Sequence, residues 1–137
     1  ELTPAELQAY VDELRELPWW ERNFPGVLRV ETHVLPPARA TSTGWFREGD
    51  HVGWIELAPR HLCERLVLHE VAHVLAAARY GDRAHDPWFA RVYLELVGVR
   101  LGSEVRAALA AAFTRHGVSV AALKPGVRLV ELREEKP

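Results

Sequence analysis

Two histidines and a glutamate lie within one apolar stretch of the chain, residues 66–78. His69 and His73 are four positions apart, so on a helix they lie about 40° apart, one turn above the other. Glu70 lies beside them on the same side. In this pattern two neutral imidazoles hold one divalent cation, and the carboxylate acts as general base towards a water that the cation activates. Zinc suits such ligands, so the spacing predicts zinc-assisted hydrolysis.

A simpler interpretation of these residues is a buried helix with two histidines whose hydrogen bonds are satisfied in the core. The stretch is apolar nearly all round, so the helix is expected to be buried. Burying imidazole and carboxylate groups without partners costs several kcal/mol. A bound cation would offset that cost, and we therefore favour the metal interpretation for His69, Glu70 and His73.

A catalytic zinc site also needs a third protein ligand and an open fourth position. One extension of the motif requires Gly at position 76 and His at position 79, and Ala76 and Arg79 exclude it. Glu95, on the following predicted helix, is one remaining candidate. His85 is the other, and it lies just before that helix begins. A loop there can direct a side chain back towards the helix that carries His69 and His73, called the zinc helix below. We favour His85, because a glutamate on a helix is usually solvated.

The other possible ligands have positions that favour structural roles. His33 and His51 fit strands, and His116 fits the C-terminus of a helix, where an imidazolium meets the negative end of the dipole; His61 is likewise interpreted as structural. Cys63 precedes His69 by almost two turns, about 120° around the helix, which is poor geometry for a shared ion. We interpret it as a buried structural thiol.

Capping residues and helix breakers divide the chain into elements. Thr3, Pro4 and Glu6 form an N-cap, an N1 proline and a capping box, Asp86-Pro87 is a second N-cap and N1 pair, and Ser103 is expected to cap a later helix. The predicted helices span about 4–17, 60–80, 87–99 and 103–116, with a further turn at 119–124. The predicted strands span 27–35, 41–46, 51–57 and 127–132, and the second and third are expected to form a hairpin. Residues 19–26 are expected to form an aromatic turn.

Length and composition indicate one globular domain, residues 1–137, of 48% hydrophobic and 26% charged residues with a formal net charge of −2. The order of elements predicts an α+β fold, with a small antiparallel or mixed sheet of about three strands packed on a helical layer that carries the zinc helix. Neither a nucleic-acid partner nor a membrane span is expected. The single cysteine excludes a disulfide framework and favours a cytoplasmic location. The chain does not begin with Met, so a removed leader is compatible with the sequence.

The segments His69-Glu70-Val71-Ala72-His73 and His85-Asp86-Pro87-Trp88-Phe89 together resemble the SprT-like zincin metalloproteases. Within that superfamily the chain is most similar to the small single-domain HExxH metallohydrolases, over about residues 52–97. The resemblance implies a zincin-like fold, with zinc bound by His69, His73 and His85 and with Glu70 as catalytic base. Asp86 replaces the usual glycine, and the Cys-rich zinc ribbon is absent. With no basic patch either, the DNA-linked role of some members is not expected here.

A peptide substrate of a zincin adds as a further strand to the sheet edge above the metal. The strand before the zinc helix, residues 51–57, is the candidate, with Gly53 and Trp54 as substrate-binding residues. An ordinary packed strand with Trp54 in the core is an equally good interpretation. Tyr80, Arg91 and Tyr93 are candidates for stabilising an oxyanion, and Asp82 or Asp86 for orienting a ligand imidazole.

The sequence therefore predicts a zinc-dependent metallohydrolase that acts on a peptide or protein substrate. Two alternatives remain open. One is a non-catalytic zinc module, in which the ion staples helices or supports an interface and a fourth protein ligand closes the site. The other is a highly selective regulatory protease that cuts one partner protein.

Overall fold

The computed structural model describes residues 1–39, 41–59, 62–81 and 85–122. Three strands and five helices follow one another in these ranges, as an α+β fold with a mixed sheet. In chain order they are α1 (Pro4–Arg15), α2 (Pro18–Asn23), β1 (Arg29–Val34), β2 (Thr43–Arg47), β3 (Val52–Leu57), α3 (Glu64–Tyr80), α4 (Pro87–Leu101) and α5 (Ser103–Arg115). None of the helices in these ranges has the length and apolar character needed to cross a membrane.

The sheet has the strand order β1-β3-β2. β2 and β3 form the predicted antiparallel hairpin, whereas β1 pairs with β3 in parallel. β3 is therefore the central strand, and the prediction that it is the edge strand is wrong. Because both sides of its backbone are already paired, β3 cannot accept a peptide as a further strand.

One face of the sheet packs on α3 and carries the core. Alternate residues of β3 are buried, with Ile55 and Leu57 fully enclosed. At the far side of β1, the side chain of Gln8 donates to the carbonyl oxygen of Val30 and accepts from the backbone N–H of Thr32. The outer edge of β1 is thus occupied by α1, which leaves β2 as the edge strand with no strand beyond it among the described residues.

Several predicted boundaries shift in the structure. The expected aromatic turn contains α2, because Pro18 starts a new helix at the point where the first one ends. α3, predicted over residues 60–80, begins at Glu64, with Cys63 as its N-cap residue. Ser103 is the first residue of α5 and makes no side-chain cap. Residues 119–122 are not helical, and residues 123–137, which include the predicted strand 127–132, lie outside the described residues.

Candidate metal centre

Three imidazoles converge at one point between α3 and the start of α4. The Nε2 atom of His85 lies 3.2 Å from Nε2 of His69 and 2.9 Å from Nε2 of His73. One ligand atom from each residue lies within 4.8 Å of the others. Zinc–nitrogen bonds of about 2.0–2.1 Å at a tetrahedral angle place two nitrogens about 3.3 Å apart. The arrangement therefore fits a single divalent ion shared by the three rings.

The spacing of residues on α3 and the N-cap of α4 position these rings. His69 and His73 lie on successive turns of α3, as their spacing predicts. Asp86 caps α4 by accepting a hydrogen bond from the backbone N–H of Phe89 at 3.0 Å, and Pro87 occupies the first helical position. This fixed helix start holds His85 opposite α3. Whether Asp86 also orients an imidazole stays a prediction, and its alternative, Asp82, lies outside the described residues.

Phe89 packs against all three imidazole rings of the cluster. Its ring stacks on His73 with centroids 4.1 Å apart, and it lies 5.0 Å from the rings of both His69 and His85. Because Phe89 is itself buried, its contacts restrict the rotamers of all three imidazoles. The sequence pattern contains Phe89, but its contact with all three rings is a feature of the fold.

The carboxyl group of Glu70 lies beside the imidazole cluster. Glu70 is 4% exposed, and its Oε2 atom lies 4.0 Å from Nε2 of His69. Its Oε1 atom is buried and has no hydrogen-bond partner among the described residues. Burial raises the pKa of this carboxyl from its usual value of 4.5 to about 7. A buried carboxyl oxygen with no hydrogen-bond partner among the described residues, next to three converging nitrogens, would suit a bound cation and an activated water.

The surroundings of His69 favour its neutral form, which is the form that binds metals. Burial is the main cause of the lowered pKa of His69, and the neighbouring His85 lowers it further. An imidazole must be deprotonated at the ligating nitrogen to coordinate an ion. The environment that disfavours a charged His69 therefore also prepares it as a ligand.

The raised pKa of Glu70 predicts a specific pH dependence for the stability of the metal-free protein. Below pH 4.5 the carboxyl is protonated in both states, so it contributes nothing. Between pH 4.5 and about 7 only the unfolded chain ionises, so stability falls as pH rises. Glu70→Gln removes this loss. In urea unfolding, the stability of the variant relative to wild type should rise by at most about 3 kcal/mol from pH 4.5 to pH 8. If the difference in the free energy of unfolding between variant and wild type stayed the same across that range, the raised pKa of Glu70 would be contradicted.

An open cleft of about 820 Å³ reaches the cluster at His69. His69 and Glu70 lie on the wall formed by α3, and the loop joining β1 to β2 forms the facing wall. Cys63 also lines the cleft and is only half-buried, so its interpretation as a buried thiol inside the helix is wrong. It precedes the first turn of α3, where the backbone is extended.

Glu95, the alternative third ligand, is used elsewhere in the fold. Its Oε2 atom accepts from Arg106 at 2.6 Å and from Arg91 at 2.9 Å. Glu95 is also buried, so the expectation of a solvated side chain is wrong. The carboxylate pairs α4 with α5 through Arg106, and that pairing accounts for its burial.

The three candidates for an oxyanion donor differ in their contacts and in whether they line the cleft. Tyr93 lines the cleft, and its ring centroid lies 5.4 Å from that of His69. Arg91 is held by Glu95 and by the carbonyl oxygen of Ala121. Tyr80 stacks on Trp88 with centroids 4.3 Å apart and has a buried hydroxyl. Tyr93 is thus the candidate whose position suits a substrate in the cleft.

The predicted substrate-binding residues of β3 do not lie where that role requires. A Cβ atom on Gly53 would meet Cγ1 of Val74 at 2.3 Å, so Gly53 packs directly against α3. Trp54 points to the opposite face of the sheet, since successive strand residues alternate. There it stacks on Trp45, at a centroid distance of 6.0 Å. The prediction is corrected because β3 is central and its two residues have packing contacts.

β2 is the strand that approaches the candidate site. Ser42, just before β2, lines the cleft, and a Cβ atom on Gly44 would lie 2.6 Å from the carbonyl oxygen of Glu70. Only glycine lets the strand pass this close to the helix backbone. Sequence reasoning missed this residue, although a glycine inside a predicted strand is a known sign of close backbone approach.

Gly44→Ala should separate β2 from α3. The added methyl group meets backbone rather than a flexible side chain, so we expect a loss of about 1–3 kcal/mol in the free energy of unfolding. Gly49→Ala is the matched control, because no atom lies within 4 Å of the Cβ position there. Thermal unfolding of both variants measures the difference, and equal melting temperatures would contradict the described contact.

Of the remaining histidines, His33, His51 and His116 lie outside the cluster. His33 lies in β1, as predicted, and His116 is the C-cap of α5. His51 is in a turn with a φ of 60°, which corrects its placement in a strand, and its Nδ1 lies 3.1 Å from the carbonyl oxygen of Gly26. His61 lies outside the described residues.

Comparisons of this chain with protein-family models, curated proteins and solved structures find no match.

Proposed function

We propose that this chain is a zinc-dependent metallohydrolase of the SprT-like zincin type and that it cleaves peptide bonds. One observation carries the proposal. Three Nε2 atoms meet at a spacing that suits one ion, at an open cleft. Beside them lies the buried carboxyl of Glu70, whose Oε1 atom has no hydrogen-bond partner among the described residues.

In this proposal His69, His73 and His85 hold the ion through their Nε2 atoms. When bound, zinc supplies Lewis-acid chemistry, which polarises a substrate carbonyl and lowers the pKa of water. Glu70 takes a proton from the attacking water as the new carbon–oxygen bond forms. It then delivers that proton to the leaving nitrogen as the carbon–nitrogen bond breaks, so the carboxylate is regenerated.

The edge strand β2 offers a way to align an extended substrate. The edge of β2 away from β3 has no strand paired with it among the described residues. This edge continues from the cleft lining at Ser42, and Gly44 lies against the backbone of α3 at Glu70. A peptide paired with β2 would therefore run past the imidazole cluster. Tyr93 lies on α4, and its hydroxyl is 3.5 Å from the carbonyl oxygen of Arg65. On substrate binding this hydroxyl would instead donate a hydrogen bond to the oxyanion.

A non-catalytic zinc module would need a protein group in the fourth position. Among the described residues the cluster contains three candidate ligands, and the cleft reaches His69 and Glu70 from solvent. This access favours a site open to water and substrate over a closed structural site.

Hydrolysis of peptides tests the proposal directly. Protein loaded with zinc is incubated with mixtures of fluorogenic peptides, then stripped with a chelator and reloaded. We expect cleavage that is lost on stripping and recovers with zinc. If no peptide is cleaved while about one zinc ion per chain is bound, hydrolysis of general peptides is contradicted.

A further inference from the structure

The cleft is lined by two cations and by one carboxyl group. Arg65 lies on α3 and Arg39 on the facing loop, and Glu70 is the acidic residue that lines the same space. Apart from Glu70, the neighbouring lining residues are apolar or neutral, including Pro37, Leu66 and Tyr93. The cleft is therefore positively charged, although the whole chain has a formal net charge of −2.

Neither arginine forms an ion pair within the part of the chain that the structure describes. Among the described residues no carboxylate lies within 4.0 Å of Arg39 or Arg65, whereas Arg47 pairs with Asp50, and Arg91 and Arg106 pair with Glu95. Arg39 and Arg65 are both exposed. Their guanidinium groups are therefore available to a ligand that enters the cleft.

Two further features add positive potential at the same place. The N-terminus of α3 has no side-chain cap, and Cys63 and Arg65 at this end line the cleft. The positive end of the helix dipole therefore lies beside the cleft, and Glu64 in the first turn offsets part of it. Three neutral imidazole ligands would leave the full charge of a divalent ion in place, and Glu70 offsets only part of it.

The position of Arg65 sets the distance to the reacting bond. Arg65 and His69 are four residues apart on α3 and thus occupy the same face, with about 5–6 Å between their Cβ atoms. One residue of an extended peptide spans about 3.3–3.6 Å. Because the guanidinium lies several ångströms beyond Cβ, a group bound by Arg65 would belong to a residue within a few positions of the bond at the metal.

We propose that Arg65, with Arg39 from the facing wall, binds a carboxylate of the substrate and makes the enzyme selective for an anionic group beside the cleaved bond. This inference rests on the proposed function. The carboxylate has two possible sources, an internal acidic side chain or the free C-terminus of a short peptide, and both offer the same planar acceptor to guanidinium.

Three matched peptides test the selectivity. The first has an internal Glu and an amidated C-terminus, the second replaces that Glu with Gln, and the third has the Gln and a free C-terminus. We expect kcat/KM to be about tenfold higher for a carboxylate-bearing peptide than for the neutral one, mainly through KM. A preference for the first peptide identifies a side-chain carboxylate, and a preference for the third identifies a terminal one.

Variants of Arg65 test whether this residue causes the preference for carboxylate-bearing peptides. Arg65→Gln should bring the ratio between the charged and neutral peptides close to one, Arg65→Lys should retain part of it, and Arg65→Glu should favour a Lys peptide. Arg115→Gln, at an exposed position on α5, is the control that keeps the wild-type ratio. Equal kcat/KM for all three peptides in wild type would overturn the selectivity while leaving the hydrolase proposal intact.

A binding measurement keeps the two proposals separable. N-acetyl-glutamate amide is titrated into zinc-loaded wild type and Arg65→Gln and followed by NMR. We expect saturable shifts in cleft residues that weaken several-fold in the variant. If wild type cleaves no peptide but shows this binding, the hydrolase proposal fails and the carboxylate site stands; if binding is equal in both proteins, the carboxylate site fails.

Discussion

Replacing Glu70 with Gln is expected to lower peptide hydrolysis by about 10²- to 10⁴-fold and to leave about one zinc ion bound per chain. The two side chains have nearly the same shape, so the packing around the buried carboxyl is retained. An amide cannot accept the proton of the attacking water. The three ring nitrogens that would hold the ion come from His69, His73 and His85, and the substitution leaves them unchanged.

Rates and zinc content are measured on the same samples. Glu104→Gln, an exposed position in the first turn of α5, is the matched control and should keep wild-type activity. Loss of zinc from the Glu70 variant would show that Glu70 is a ligand or a structural group. Full activity with zinc bound would show that another residue is the base.

His85→Ala is expected to weaken zinc binding by well over 100-fold. Removing a residue that only orients a ligand typically costs 10- to 100-fold in metal affinity, and His85 is a candidate direct ligand. Its Nε2 atom lies within 3.2 Å of Nε2 of both other histidines. Because His85 is exposed, the fold of the metal-free protein should survive the change.

The measurement is competitive zinc titration against a chromogenic chelator, with circular dichroism to check the fold. His33→Ala, at an exposed position in β1, is the matched control and should bind zinc as wild type does. An unchanged affinity in His85→Ala would mean that the third ligand lies elsewhere.

The parts of the fold that depend on neighbouring residues could be predicted from the sequence. The spacing of His69 and His73 requires only helix geometry, and the cap formed by Asp86 requires only the first turn of α4. The β2–β3 hairpin follows from a short turn between two strand patterns. Each of these predictions needs no knowledge of what packs on the element.

The features that depend on distant parts of the chain could not be predicted. The parallel pairing of β1 with β3 places β3 in the centre of the sheet, and no local pattern reports that order. Glu95 is buried because Arg106, from the next helix, reaches it. Arg39 joins the cleft only because its loop folds across from α3. Tertiary contacts decide such positions, and a single sequence does not display them.

A crystal structure of the zinc-loaded protein, with diffraction data at both sides of the zinc absorption edge, tests the central claim most directly. We expect one anomalous peak about 2.0–2.1 Å from the Nε2 atoms of His69, His73 and His85, with the fourth position facing the cleft. A zinc-loaded crystal in which these rings point apart and no peak lies among them would contradict the claim.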